Sequence, residues 1–189
     1  MQSAADEFAE NGYERASLNR ILERSGMGKS SFYYYFEDKA DLFATLVEGS
    51  VADLFESAGR FDVASLSADA FWSACEDYYR AIIAAASADD RSVALGWMFY
   101  RLRAEGAESG PTERIVEAAR AWVGGFILRG QALGVVRTDL PDGLLVDCMM
   151  GIVEAIDRWV VTNWSEIGEA ARRRMASEHV DLVRRVLSP

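Results

Sequence analysis

Prolines number three, cysteines two and histidines one in this chain of 189 residues. So few prolines, with Ala, Leu, Glu and Arg abundant and runs of Val, Ile and Thr scarce, argue against sheet and predict an all-α protein. Cys75 and Cys148 fit neither a disulfide framework nor a zinc motif, which would cluster cysteines with histidines, and His179 stands alone. Both are expected to be small core residues, and no metal or cofactor is expected. A basic N-terminal region leading into an apolar run is lacking too. The most apolar segment, LLVDCMMGIVEAIDRWVV at residues 144–161, is broken by Asp147, Glu154 and Asp157, so no membrane association and a cytoplasmic location are expected. Net positive charge is also missing. The balance is −10, and residues 1–50 carry five cations (Arg15, Arg20, Arg24, Lys29, Lys39) against nine acids. That excludes a generic polyanion coat, so any nucleic-acid contact must come from a local face.

What is present is half hydrophobic, 50% of residues, enough for a real core. The stretch SGMGKSSFYYYFEDK, residues 25–39, contains Gly28, Lys29 and Ser30, the end of a phosphate-gripping P-loop pattern. A P-loop needs glycine five positions earlier and a strand leading in. Position 23 is Glu23, and Leu18, Ile21 and Leu22 before it have helical spacing, so that reading fails.

Read as helices, the same region is coherent. Met1, Ala4, Ala5 and Phe8 share one face of a first helix that ends at Gly12. Ser17 is placed to cap a second helix, with Leu18, Ile21 and Leu22 as its buried stripe and Gly26 as its stop. A third begins near Gly28. With Phe32 at 0° and about 100° per residue, Phe36 falls near 40° and Tyr35 near 300°, the packed side, while Ser30, Ser31, Tyr33 and Tyr34 spread over roughly 100° to 260°. Hydroxyls and phenols suit an outward face that meets phosphates and base edges, and two helices joined by a short turn make a helix-turn-helix. Asp38 opens a fourth helix, with Asp41 completing a capping pattern. Lys39 lies in that helix's first turn, where a cation opposes the helix dipole, so a task outside the helix is expected, such as a phosphate contact. Arg20, one turn after Ser17, is a further candidate for the DNA backbone.

Residues 8–43 resemble the DNA-binding domain of TetR-family transcriptional regulators. Phe8, Gly12, Tyr13, Ser17, Leu18, Ile21, Gly26, Met27, Ser31, Phe32, Tyr33, Tyr35, Phe36, Lys39 and Leu42 fall in register with the family pattern. The resemblance implies phosphate contacts from Ser17, Tyr33 and Lys39, and base-edge contacts from Lys29, Ser30, Ser31 and Tyr34. Gly28 stands where the family usually has Ser or Thr, so only its backbone amide remains there. The match starts inside the first helix, so the basic arm that often precedes that helix is expected to be lacking.

The expected division is residues 1–47 for DNA binding and 48–189 for effector binding and dimerisation. GRFDVASLSAD, residues 59–69, reads as a connector. Helices are expected at 68–87, 90–105 and 111–133, the last opened by Pro111 after EGAESG, then a loop, then helices at 142–164 and 166–187. The resemblance implies that the last two pair with a second subunit, with Leu145, Met149, Ile152, Ile156, Trp159, Met175, Val183 and Val186 as candidates for the interface. Trp72, Tyr79, Trp97, Tyr100, Trp122, Phe126 and Met150 suggest an effector cavity for an apolar or aromatic molecule, with Glu154 and Asp157 available for a polar or cationic end. The whole implies a homodimeric repressor on a palindromic double-stranded DNA operator, released by a small-molecule effector. The alternative is a helical sensor or carrier without DNA binding. Catalysis is not expected, because no nucleophile or metal motif accompanies the one histidine.

Overall fold

The computed structural model describes residues 1–88, 90–104 and 111–189, and all regular structure among them is helical. The segment EGAESG, 105–110, expected as a separating loop, lies outside the described residues. The first helix, α1 (Gln2–Arg15), buries Ala4, Glu7 and Phe8, whereas Met1 is exposed, outside the stripe expected of it. Gly12 does not end the helix; it kinks it, at φ 71° and ψ 166°, and one more turn follows. Only glycine enters that region without strain.

The helix α2 (Leu18–Ser25) starts as expected, with Ser17 Oγ accepting from the Arg20 amide. It stops at Gly26, whose φ of 67° is left-handed, and the Met27 amide donates back to the Leu22 carbonyl. Two residues on, α3 (Lys29–Tyr35) begins after Gly28, with no side-chain cap. Asp38 then caps α4 (Lys39–Ala58) by accepting from the Asp41 amide, while Asp41 accepts from the Glu37 amide. That helix runs unbroken through residues 47 and 48. Phe8, Phe43 and Tyr13 form an aromatic knot between α1 and α4, with the Phe8 and Phe43 rings 5.2 Å apart, edge to face.

A single 3₁₀ turn (Val63–Ser65) interrupts the connector before α5 (Phe71–Ser87), α6 (Asp90–Ala104), α7 (Pro111–Ala132), α8 (Asp142–Asn163) and α9 (Glu169–Leu187). Their apolar stripes close three cores. In the first, Leu95, Met98 and Phe99 of α6 join Phe8, Phe32 and Phe43, so a helix remote in sequence completes the packing of the N-terminal four. The second gathers Phe71, Phe126, Ile127, Leu145, Val183 and Leu187 from α5, α7, α8 and α9. The third joins Ile83, Val160, Trp164 and Met175.

The turn after α7 folds back on it, with the Val135 and Val136 amides donating to the Gly130 carbonyl. A Cβ at Gly130 would lie 2.3 Å from Val136 Cγ2 and 3.0 Å from Phe71 Cζ, a clash that glycine alone avoids. Overpacking of this kind costs about 1–3 kcal/mol. Gly130→Ala is therefore expected to lower the melting temperature by several degrees in a thermal unfolding scan, without changing the helical circular-dichroism spectrum of the folded state.

Candidate DNA-binding face and interior polar cluster

α3 is held by two rings and shows the rest of itself to solvent. Phe32 is 1% exposed and packs on Phe36 with centroids 5.3 Å apart. Lys29, Ser30 and Ser31 are exposed beside Gly28, and Tyr33 and Tyr34 are 55% and 82% exposed. Tyr35, expected on the packed side, is 66% exposed and meets Tyr34 edge to face at 5.0 Å. The helix ends at Tyr35, and Phe36, in extended backbone, swings into the core in its place. Three phenols thus stand together on the face where two were expected.

Lys39 departs further from expectation. Its ammonium donates to the carbonyls of Tyr13 (2.9 Å), Glu14 (3.3 Å) and Ala16 (3.3 Å) and lies 4.6 Å from the Tyr13 ring centroid. The last carbonyls of a helix have no partner within it, and here the cation supplies one. The task outside α4 is real, and in this structure it is to cap α1. Arg20 is likewise engaged within the protein. Its guanidinium donates from Nε (2.9 Å) and Nη2 (2.6 Å) to Oε1 of Glu7 and also to the Arg15 carbonyl. Glu7 is buried, accepts from the Ser17 amide at 2.9 Å, and is held below the usual carboxylate pKa, first by Arg20 and then by that amide. Through Glu7, α1 thus fixes the residue that caps α2. The only hint in sequence is a carboxylate on the Ala4–Phe8 face.

The candidate effector residues do not line one chamber. Trp97 and Tyr100 pack on the first core, Trp72, Phe126 and Met150 belong to the second, and Tyr79 to the third. Trp72 borders a surface hollow of about 520 Å³ with Arg184 and Glu76, and Trp122 borders another of about 390 Å³ with Gly125 and Arg129. The polar groups are better assembled. Tyr100 of α6 donates to Asp157 of α8 at 3.0 Å, Arg103 lies 3.7 Å from Glu154, and Tyr79 of α5 meets His179 of α9 at 3.1 Å. Burial pushes Asp157 up to about 6, against the opposing pull of the Tyr100 hydrogen bond, and burial lowers His179.

The candidate interface divides in the same way. Leu145, Met149, Met175 and Val183 are buried inside the subunit and cannot meet a second one. Trp159 is 54% exposed, and Ile152, Ile156 and Val186 are part-buried. The outward stripe of α8 is Leu144, Cys148, Gly151, Ala155 and Trp159, at spacings of four, three, four and four, and Leu182 is exposed on α9. A face of α8 that is apolar most of the way round accounts for the error: periodicity located two apolar sides and did not say which one faces inward.

Residues 1–46 match the family described as "Bacterial regulatory proteins, tetR family". This segment, about a quarter of the chain, is thus similar to the N-terminal DNA-binding domain of tetR-family regulators. Curated relatives include the HTH-type transcriptional repressor AcnR of Corynebacterium glutamicum, 37% identical over 49 residues (26% of this chain and 26% of that protein). The HTH-type regulator YdgC of Bacillus subtilis is 36% identical over 47 residues, 25% and 24% of the two chains. The match therefore spans about a quarter of these relatives' length. Fold similarity extends further. FadR from Bacillus subtilis, solved with stearoyl-CoA, superposes with a TM-score of 0.72 at 16% identity, covering 96% of this chain and 94% of that one. SmeT, the repressor of the Stenotrophomonas maltophilia multidrug efflux pump SmeDEF, gives 0.69 at 17% identity, covering 100% and 88%.

Asp157 makes the stability of the fold depend on pH. Its folded pKa of about 6 lies above the ordinary 3.8, so the folded state holds a proton that the unfolded chain has released. The group favours folding at low pH, and that support disappears as pH rises from about 4 through about 6. At neutral pH the part-buried charge costs up to roughly 3 kcal/mol. Asp157→Asn is expected to raise the melting temperature at pH 7.5 by several degrees over the unmodified protein, the difference shrinking towards pH 4.

Proposed function

We propose that the chain is a homodimeric, effector-responsive transcriptional repressor that reads a palindromic double-stranded DNA operator. The observation that carries this reading is α3, a short helix anchored by Phe32 and Phe36 with Lys29, Ser30, Ser31, Tyr33, Tyr34 and Tyr35 all facing outward. The phenols and serine hydroxyls donate to phosphates or base edges, Lys29 supplies a cation, and the Gly28 amide and Ser17 hydroxyl flank them. Residues 1–47 are the reading unit and 48–189 the sensing and dimerising unit. Repression follows the similarity to AcnR and SmeT.

Two reading helices at a fixed spacing are needed for a palindrome. The α8 stripe of Leu144, Cys148, Gly151, Ala155 and Trp159, with Leu182 of α9, suits the isologous contact, since Gly151 and Ala155 allow close helix approach. Ala155→Arg is expected to give a monomer in multi-angle light scattering with helicity unchanged, and to lose operator binding.

The reading is tested by fluorescence anisotropy against duplex DNA from upstream of the chain's own gene, with a scrambled duplex as control, at two salt concentrations. Tyr34→Ala is expected to weaken binding to the specific duplex tenfold or more at an unchanged melting temperature, since one good base or phosphate contact contributes about 1–3 kcal/mol. Lys39 is a poor probe of the interface because its loss would uncap α1. Equal, weak binding to both duplexes would favour the sensor without DNA binding, which the acid excess of residues 1–50 otherwise supports.

A further inference from the structure

Both cations of α2, Arg20 and Arg24, are bound by carboxylates of α1. Glu7, 1% exposed, accepts at Oε1 from Arg20 Nε (2.9 Å), Arg20 Nη2 (2.6 Å) and the Ser17 amide (2.9 Å), and its Oε2 lies 3.6 Å from Arg24 Nη1. Arg24 also meets Glu10 at 3.2 Å and Asp6 at 3.8 Å. Yet the side chains of Arg20 and Arg24 are 52% and 39% exposed. They are surface charges cancelled in place. The donors gathered on Glu7, a backbone amide at the start of a helix and a guanidinium, are the kind that hold a phosphate oxygen. Here a carboxylate from α1 takes them instead. In a helix-turn-helix the first helix crosses the DNA backbone, where cations neutralise phosphates and release counterions.

We propose that Glu7 is a specificity-determining residue of the head: by binding Arg20, Arg24 and the Ser17 amide it withholds them from DNA phosphates, lowers sequence-independent affinity and leaves recognition to α3. The inference rests on the DNA-reading function proposed above. Masking of charge is separable from simple fastening of α1 to α2. A fastener acts through the stability of the head. A mask acts through the number of phosphates neutralised, which salt dependence reports as about 0.9 in the slope of log affinity against log salt for each one. Glu7→Gln keeps a carbonyl oxygen for the Ser17 amide and removes the charge that holds Arg20.

The test is fluorescence anisotropy of the full chain against the scrambled duplex at salt concentrations from about 50 to 200 mM, with helicity and melting temperature recorded for every variant. Glu7→Gln is expected to tighten binding severalfold at the lowest salt and to steepen the slope by about one unit per subunit. Combining it with Arg20→Gln should return the slope to that of the unmodified chain. Should Glu7→Gln fold poorly, Asp6→Asn with Glu10→Gln, both outside the core, should steepen the slope by loosening Arg24. Glu23→Gln removes an equal charge from the exposed side of α2 and should alter the slope much less. An unchanged slope in both sets of acid variants, a double variant as steep as Glu7→Gln alone, or a Glu23→Gln effect equal to that of Glu7→Gln overturns the proposal. Specific binding is read separately on the upstream duplex. Failure of the unmodified chain to prefer it would refute the DNA-reading function, while the scrambled-duplex slopes still decide whether Glu7 masks the α2 cations.

Discussion

Leu95, Met98 and Phe99 of α6 pack against Phe8, Phe32 and Phe43, and the architecture depends on that contact. The four N-terminal helices, which run from Gln2 to Ala58, share their core with α6 rather than closing it among themselves. A helix from the second half supplies the missing wall. Its other face lies against α8, close enough that a Cβ on Gly96 would sit 3.3 Å from Val161 Cγ1. The N-terminal four helices and the helices that follow are therefore parts of one packed body, and a shift of α6 is felt in both.

Local structure was legible where one residue type does one physical job. Ser17, Gly26 and Asp38 cap or stop helices as their chemistry dictates, and the expected bounds of the five later helices lie within three residues of those observed. The resemblance of the N-terminal motif to the TetR family held in register through the whole head. The all-α reading held as well among the described residues.

Legibility failed where a residue's task depends on something distant in sequence. Lys39 sits in a first turn, and nothing local says that the carbonyls of Tyr13, Glu14 and Ala16 end within reach. Arg20 is committed to Glu7, thirteen positions earlier, rather than left free for a phosphate. Tyr35 obeys the helical wheel only as long as the helix continues, and it stops there. Leu145 and Met149 are as apolar as the outward stripe of α8, so pattern alone could not tell the inner face from the outer. The aromatic residues misled for a related reason: abundance suggested a single chamber, whereas packing distributes them over three cores.

The chain has two lysines, and the structure engages Lys39 with backbone carbonyls. Lys29 is left as the exposed one, on a head with more acids than bases. A protein built this way has little indiscriminate attraction for a polyanion, so under the proposed DNA-reading function encounters with random genomic sequence would end quickly. Long one-dimensional sliding would then give way to repeated three-dimensional search, and the time bound at a chosen site would be set by short-range hydroxyl and phenol contacts rather than by the surrounding electric field.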